Sequence, residues 1–322
     1  MRRRTLLAGM PAALAAPRIG HASTFPGADI RIISGAPPGG TSDLFCRLLA
    51  EKLQPRFRQR VIVENRGGAG GLVGAVAVSS LAPDGHNVFA TSMGVQAVMG
   101  QLPGQVMPID PDRDLTPLSN GCGIPNMLIG SFRSPFATVP ELIAHARANP
   151  GKLTYASAGS GGSQHLAAEL FKTMTGTDIL GITYRGGAPA VLAVVAGEVD
   201  MYFGNFPEVY GQVRQGGVRP LAIGSPEPSP LAPGAPVMAS FVPGYEVVNW
   251  FGLAGPGNLD RTAMARWTEA LLAIRDDPDF RRRMAENGMD VLLGTPEELR
   301  ERIARDKRLW GDLIRTAGLR GE

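Results

Sequence analysis

Two stretches far apart in the chain share one build. Ile30 to Leu49 reads I-R-I-I-S-G-A-P-P-G-G-T-S-D-L-F-C-R-L-L, and Tyr155 to Leu170 reads Y-A-S-A-G-S-G-G-S-Q-H-L-A-A-E-L. Each is a short apolar strand, a glycine-rich turn and the start of an amphipathic helix. Such a junction aims unpaired backbone N–H groups and the positive end of a helix dipole at one spot, which suits an anion. Neither turn contains a lysine, so neither is the phosphate loop G-x-x-x-x-G-K-[ST]. Two such starts predict two lobes closing on one small anion.

At 322 residues the chain is long enough for two cores. Its first residues read as a targeting segment. Arg2, Arg3 and Arg4 precede the apolar run Leu6 to Ala16, and small residues at Gly20 and Ala22 predict cleavage after Ala22. R-R-R-T-L-L fits a twin-arginine signal, and an arginine-rich general secretory signal fits equally. The segment carries four arginines and no acid, so its removal takes the formal charge from +3 to near neutrality. The basic balance is therefore no nucleic-acid footprint. Cys46 and Cys122 are read as two separate buried thiols, although an exported location permits a disulfide.

Strands are expected at Arg60 to Glu64, Asn87 to Thr91, Ile124 to Ile129, Leu153 to Ala156, Ile179 to Tyr184, Val199 to Phe203 and Glu246 to Ala254. Helices fall between them, and this alternation predicts βαβ units with a largely parallel sheet. Gly100 to Leu118 looks like an irregular crossing, and Asp260 to Ala317 is helical with starts at Asp277-Pro278 and Thr295-Pro296. N-R-G-G-A-G-G-L-V-G matches the dinucleotide fingerprint G-x-G-x-x-G poorly, because Val73 takes the third glycine's place. Helix–strand packing explains these glycines better.

The catalytic inventory is thin. A-G-S-G-G around Ser160 misses the serine elbow G-x-S-x-G at its first position, and no histidine or cysteine spacing matches a metal site. No catalytic residue, metal or cofactor is expected. His165, at the second helix start, reads as a brace for its own loop, with donation to a bound carboxylate as the alternative. Ser157, Ser160 and Ser163, interleaved with glycines, form with the backbone an anion nest.

In order and spacing, one set of segments matches a known family over nearly the whole mature length. They are I-R-I-I-S-G-A-P-P-G-G-T-S-D, V-I-V-E-N-R-G-G-A-G-G, A-P-D-G-H, P-G-K-L-T-Y-A-S-A-G-S-G-G-S-Q-H-L-A-A-E-L-F, Y-R-G-G-A-P-A, G-E-V-D-M-Y-F-G-N and P-G-Y-E-V-V-N-W-F-G-L. The chain resembles the solute-binding receptors of tripartite tricarboxylate transporters, the Bug receptors. The resemblance implies an α/β, two-lobed periplasmic binding protein (type II-like), each lobe a mainly parallel sheet flanked by helices, with the ligand cleft between them. It implies a receptor and no enzyme. The ligand carboxylate would be held by Pro38, Gly39, Gly40, Thr41 and Asp43 in one lobe and by Ser157, Ala158, Gly159, Ser163 and His165 in the other. Thr91-Ser92, Tyr184, Asn205 and Trp250-Phe251 would line the rest of the cleft.

The expected boundaries are residues 1–22 for the signal, 23–124 with 247–322 for lobe 1 and 125–246 for lobe 2, with a hinge near 124 and 247. The expected partners are a small organic acid and membrane transporter subunits or a membrane sensor, with no nucleic acid, the receptor itself being a monomer in the periplasm. An exported α/β enzyme acting on a small carboxylate is the competing reading, and a sensor-linked receptor without a transport role is another. Two positions depart from the family: many members have Thr at Gly162 and Asp at Gly204. The second change removes an acceptor and favours a plain carboxylate over an amino acid. The apolar run Met93 to Met99 hints at an apolar ligand tail.

Overall fold

The computed structural model describes residues 25–320 apart from 158, 160, 230, 231 and 233, so the expected signal segment and its cleavage after Ala22 lie outside the described residues. β1 (Ile30–Ser34) buries Ile30, Ile32 and Ile33 and leads through the first glycine loop into α1 (Thr41–Phe57). β2 (Val61–Asn65), a turn at Ala69–Gly71, α2 (Leu72–Ser79) and β3 (Asn87–Ser92) follow. β1 pairs in parallel with both β2 and β3. A π-helical turn, Gly94–Val98, leaves β3, and α3 (Pro111–Asp114) precedes the long β4 (Leu115–Gly130).

The second lobe repeats the plan. α4 (Val139–Ala148), β5 (Thr154–Ser157), α5 (Ser163–Thr175), β6 (Leu180–Thr183), α6 (Gly187–Ala196), β7 (Met201–Asn205), α7 (Phe206–Arg214) and β8 (Arg219–Ile223) come in that order. β5 is parallel to β6 and β7. The chain returns through β9 (Val248–Pro256), α8 (Arg261–Arg275), α9 (Pro278–Glu286), β10 (Asp290–Val291) and α10 (Pro296–Ala317). Among the described residues no helix is long and apolar enough to cross a membrane.

The lobes are joined by strands running against the parallel sets. β4 pairs antiparallel with β9 from Leu115 to Pro125, then with β7 and β8 from Asn126 and Met127 onward. The exchange is fixed at Asn126: its N–H donates to Val247 O (3.2 Å), its carbonyl accepts from Gly224 N (2.6 Å), and its side chain donates to Phe203 O (2.8 Å). β4 begins nine residues before the strand expected at Ile124. Pro117, Gly121, Gly123 and Pro125 hide it by breaking the alternation, and register shifts at Pro117/Ser119 and Asn120/Cys122 accommodate them. Gly121 is required, because a Cβ there would lie 2.5 Å from Phe251 O and 2.7 Å from the Phe45 ring.

Helix starts away from the strand ends carry side-chain caps. Asp260 accepts from Ala263 N and Asp277 from Phe280 N, both at 2.9 Å, while Thr295 and Glu298 form a capping box with bonds of 3.2 and 2.6 Å. One core joins Ile32, Phe45 and Leu49 to Trp267, Leu271 and Phe280. Another joins Leu166, Phe171 and Phe203 of the second lobe to Trp250, Ile303 and Trp310, so α10 and β9 pack against both lobes. Trp250 is fully buried there, and its indole N–H donates to Asp306 Oδ2 at 2.6 Å. Replacing Asp306 by Ala strands that donor and removes the anion facing Arg302 and Arg305. Urea unfolding should record a loss of about 3 kcal/mol.

Cys46 and Cys122 are free and fully buried, and burial pushes the Cys46 thiol up to about 12 and Cys122 up as well. Neither should react with a thiol reagent in the native protein, and both should react after denaturation.

Candidate functional site

The first glycine loop is shaped by Gly39, whose φ of +81° disfavours any side chain, and Gly40 caps α1 with no side-chain oxygen. Asp43 is turned back on this loop. Its carboxylate accepts from Gly39 N (2.9 Å) and Asn65 Nδ2 (2.9 Å) and pairs with Arg47 at 2.9 Å. Burial works against its charge, but the bonds from Arg47, Gly39 and Asn65 outweigh burial and hold the carboxyl below its ordinary range. The Asp43 side chain thus braces the loop. Pro38 and Gly39 are exposed, whereas Thr41 is buried with its hydroxyl directed at the opposite lobe.

The second loop is braced in the same manner. Gly159, with φ +125°, donates to Ser157 Oγ at 3.2 Å, and Gly161 donates to His165 Nδ1 at 3.3 Å. The bracing role expected for His165 is therefore present. Tyr184 N donates to Ser157 O at 2.8 Å, which ties the loop to the end of β6. Ser163 Oγ and Asn249 Nδ2 both donate to Asn205 Oδ1 at 3.2 Å, so α5, β7 and β9 meet at one amide. Ala158 and Ser160 lie outside the described residues. On the first lobe Ser92 Oγ accepts from Val95 N, and Gly94 comes so close to Gly161 that a Cβ would stand 3.3 Å from its carbonyl oxygen.

A residue that the sequence reading passed over occupies the middle of this arrangement. The Glu208 carboxylate, in the first turn of α7, accepts from Tyr202 OH (2.9 Å), Asn205 Nδ2 (3.1 Å), Asn205 N (3.3 Å) and Gln164 Nε2 (3.3 Å). It also accepts from Thr41 Oγ1 at 3.3 Å, a bond between the lobes. Burial, then the adjacent Glu208 charge, push the Tyr202 phenol well above its ordinary range, so it stays a donor. The one signal in the sequence was N-F-P-E: an Asn cap, Pro at the second helical position and Glu at the third, a capping-box pattern.

Two expectations, the cleft-lining Trp250 and the apolar ligand tail, are corrected. Trp250 lends no surface to the cleft, because it is fully buried under α10 with Arg302 over its ring, whereas Phe251 is half-buried against the first-lobe core. Gly204 leaves no gap, since a Cβ there would overlap the Tyr202 ring and lie 2.5 Å from Val209 Cγ1. Beside it the Glu208 carboxylate is taken up by protein donors, so it offers a ligand no acceptor in place of the one absent at 204. Met93, Val95, Val98 and Met99 are buried in the cores, which accounts for their apolar character without a ligand tail.

Four helices, α1, α2, α5 and α6, are capped by glycine (Gly40, Gly71, Gly162 and Gly186) with no side-chain bond, and each follows the carboxyl end of a parallel strand. Three of these starts reach Glu208, through Thr41, Gln164 and Gly187, whose Cβ would stand 2.5 Å from the carboxylate. This is the edge of an α/β sheet at which ligands bind. A surface depression lined by Ala28, Asp29, Arg31 and Asn87 lies at the amino ends of β1 and β3 instead. Gly204→Ala should cost about 2 kcal/mol in urea unfolding, because the ring it displaces is tethered to Glu208.

Residues 45–319 match the model of the tripartite tricarboxylate transporter family receptor. Protein BugT of Bordetella pertussis is 31% identical over 95% of this chain and 94% of its own length. Among solved structures, Rpa4515 of R. palustris with adipate has a TM-score of 0.88 at 28% identity, over 92% of this chain and all of its own. MatC of Rhodopseudomonas palustris with bound malate has a TM-score of 0.82 at 26% identity, over 90% of this chain and all of its own. By this match and by its fold, the chain belongs to the receptor family of the tripartite tricarboxylate transporters.

Proposed function

We propose that the protein is a periplasmic receptor that captures a small organic carboxylate between its lobes and presents it to a tripartite membrane transporter. The observation carrying this reading is the meeting of the glycine-capped helix starts of both lobes at one point, where a carboxylate already sits. Relatives whose solved structures are with adipate and with bound malate support the ligand class. Dipoles fixed by folding replace the water that the ligand anion sheds on closure. Backbone groups of Gly40, Thr41, Ser157, Gly159 and Ser163 supply them, with Pro38, Gly39, Ser92, Tyr184, His165 and Asn205 around them.

Residues 23–124 with 247–322 make the first lobe and 125–246 the second, with the hinge at the strand exchange near Asn126 and Val247. Closure gives the membrane partner a shape to read. The receptor acts as a monomer, performs no chemistry of its own and is exported with cleavage near Ala22. The chain from Ser23 onward, freed of carried ligand by unfolding and refolding, should gain about 2.7 kcal/mol with its ligand at 100 times the dissociation constant. A thermal-shift screen of mono-, di- and tricarboxylates, aromatic acids and amino acids checks this. A flat response across that panel overturns the carboxylate reading.

A further inference from the structure

Glu208 stands where the carboxylate of a ligand would be expected, and it is held there firmly. Four of its five bonds come from its own lobe, two of them from Asn205 at the cap of the same helix. Only the Thr41 bond breaks when the lobes part. The carboxylate is thus a fixed wall of the cleft, and five donors fill the roughly four lone-pair directions that it offers. It has no capacity left for an ammonium or hydroxyl group of a ligand.

The charges at this point can be counted. The starts of α1, α5, α6 and α7 converge on Glu208, each equivalent to roughly half a positive charge, about +2 together. Glu208 neutralises about half of that. Nearby ionised side chains do not restore it: Asp43 and Arg47 pair with each other, and Arg185, beside Gly186, is exposed and screened by solvent. The bonds to Glu208 use side-chain donors and the Asn205 N–H, so it does not take the first-turn N–H groups of α1, α5 and α6. About one unit of positive potential, with backbone donors to match, is left for the ligand.

We propose that Glu208 supplies from within the protein the second negative charge of a dicarboxylate, so that the receptor selects ligands with one carboxylate and an uncharged far end. This rests on the receptor reading of the cleft and names its ligand class. A second ligand carboxylate would meet Glu208 in a closed site of low dielectric, with the compensating dipoles already used. Gly204 and Tyr202 belong to the same device, because the absent side chain at 204 lets the Tyr202 ring deliver its hydroxyl to Glu208.

Calorimetric titration of the ligand-stripped chain with matched pairs of three to eight carbons tests this: each dicarboxylate against its monoamide and against the plain monocarboxylate, with aromatic counterparts. In the wild type the best monoanion should bind at least about tenfold more tightly than its dicarboxylate. Glu208→Gln keeps an acceptor for the capping bonds and should erase at least about tenfold of that preference by strengthening the dicarboxylate. A wild type that binds the dicarboxylate equally or more tightly overturns the proposal even if the variant does not fold, as does an unchanged ratio in a folded variant. Failure of every acid to bind either protein overturns the receptor reading, and this proposal with it.

Discussion

The structure depends on a single long strand that changes hydrogen-bonded partners without ending. β4 runs sixteen residues, spends its first eleven against β9 and its last five against β7 and β8, and hands over at Asn126. A loop joining the lobes at this place would leave their orientation to side chains. A continuous strand instead makes every backbone group at the crossing part of one lobe or the other. The Asn126 side chain ties the crossing to Phe203, two residues from Asn205, whose amide Ser163 also bonds, so the joint and that hydrogen-bonded cluster share β7.

Much of this was legible in the sequence because local chemistry and tertiary role agree. The capped starts at Asp277 and Thr295, the glycine loops and the parallel triplets all follow rules of short range. What was missed is governed at longer range. The first half of β4 reads as irregular because its prolines and glycines answer to β9 and to the Phe45 ring. Trp250 looks like a cleft aromatic until Asp306, 56 residues later, claims its N–H. Glu208 was hidden by a motif with a sufficient local explanation: a glutamate at the third position of a capped helix needs no other purpose. That it also meets Gln164 and Thr41 follows only from the packing of two other helices.

The set Tyr202, Gly204 and Glu208 illustrates how a departure at one position is understood through its neighbours. Residues 202 and 204 share one face of β7, so the volume that one gives up the other takes. The absence of an acceptor at 204 is at the same time the making of space for a tyrosine that holds Glu208.

Glycine caps of α1, α5 and α6 contrast with the acidic and hydroxyl caps of α8, α9 and α10. A capped start is finished, whereas an uncapped one stays open for an exchangeable guest. A guest held by peptide dipoles leaves no lysine or arginine stranded in a dry cavity when it goes, and water readily satisfies the vacated N–H groups. Handing cargo onward is as much a part of carriage as picking it up, and in the proposed receptor such helix ends would make unloading cheap.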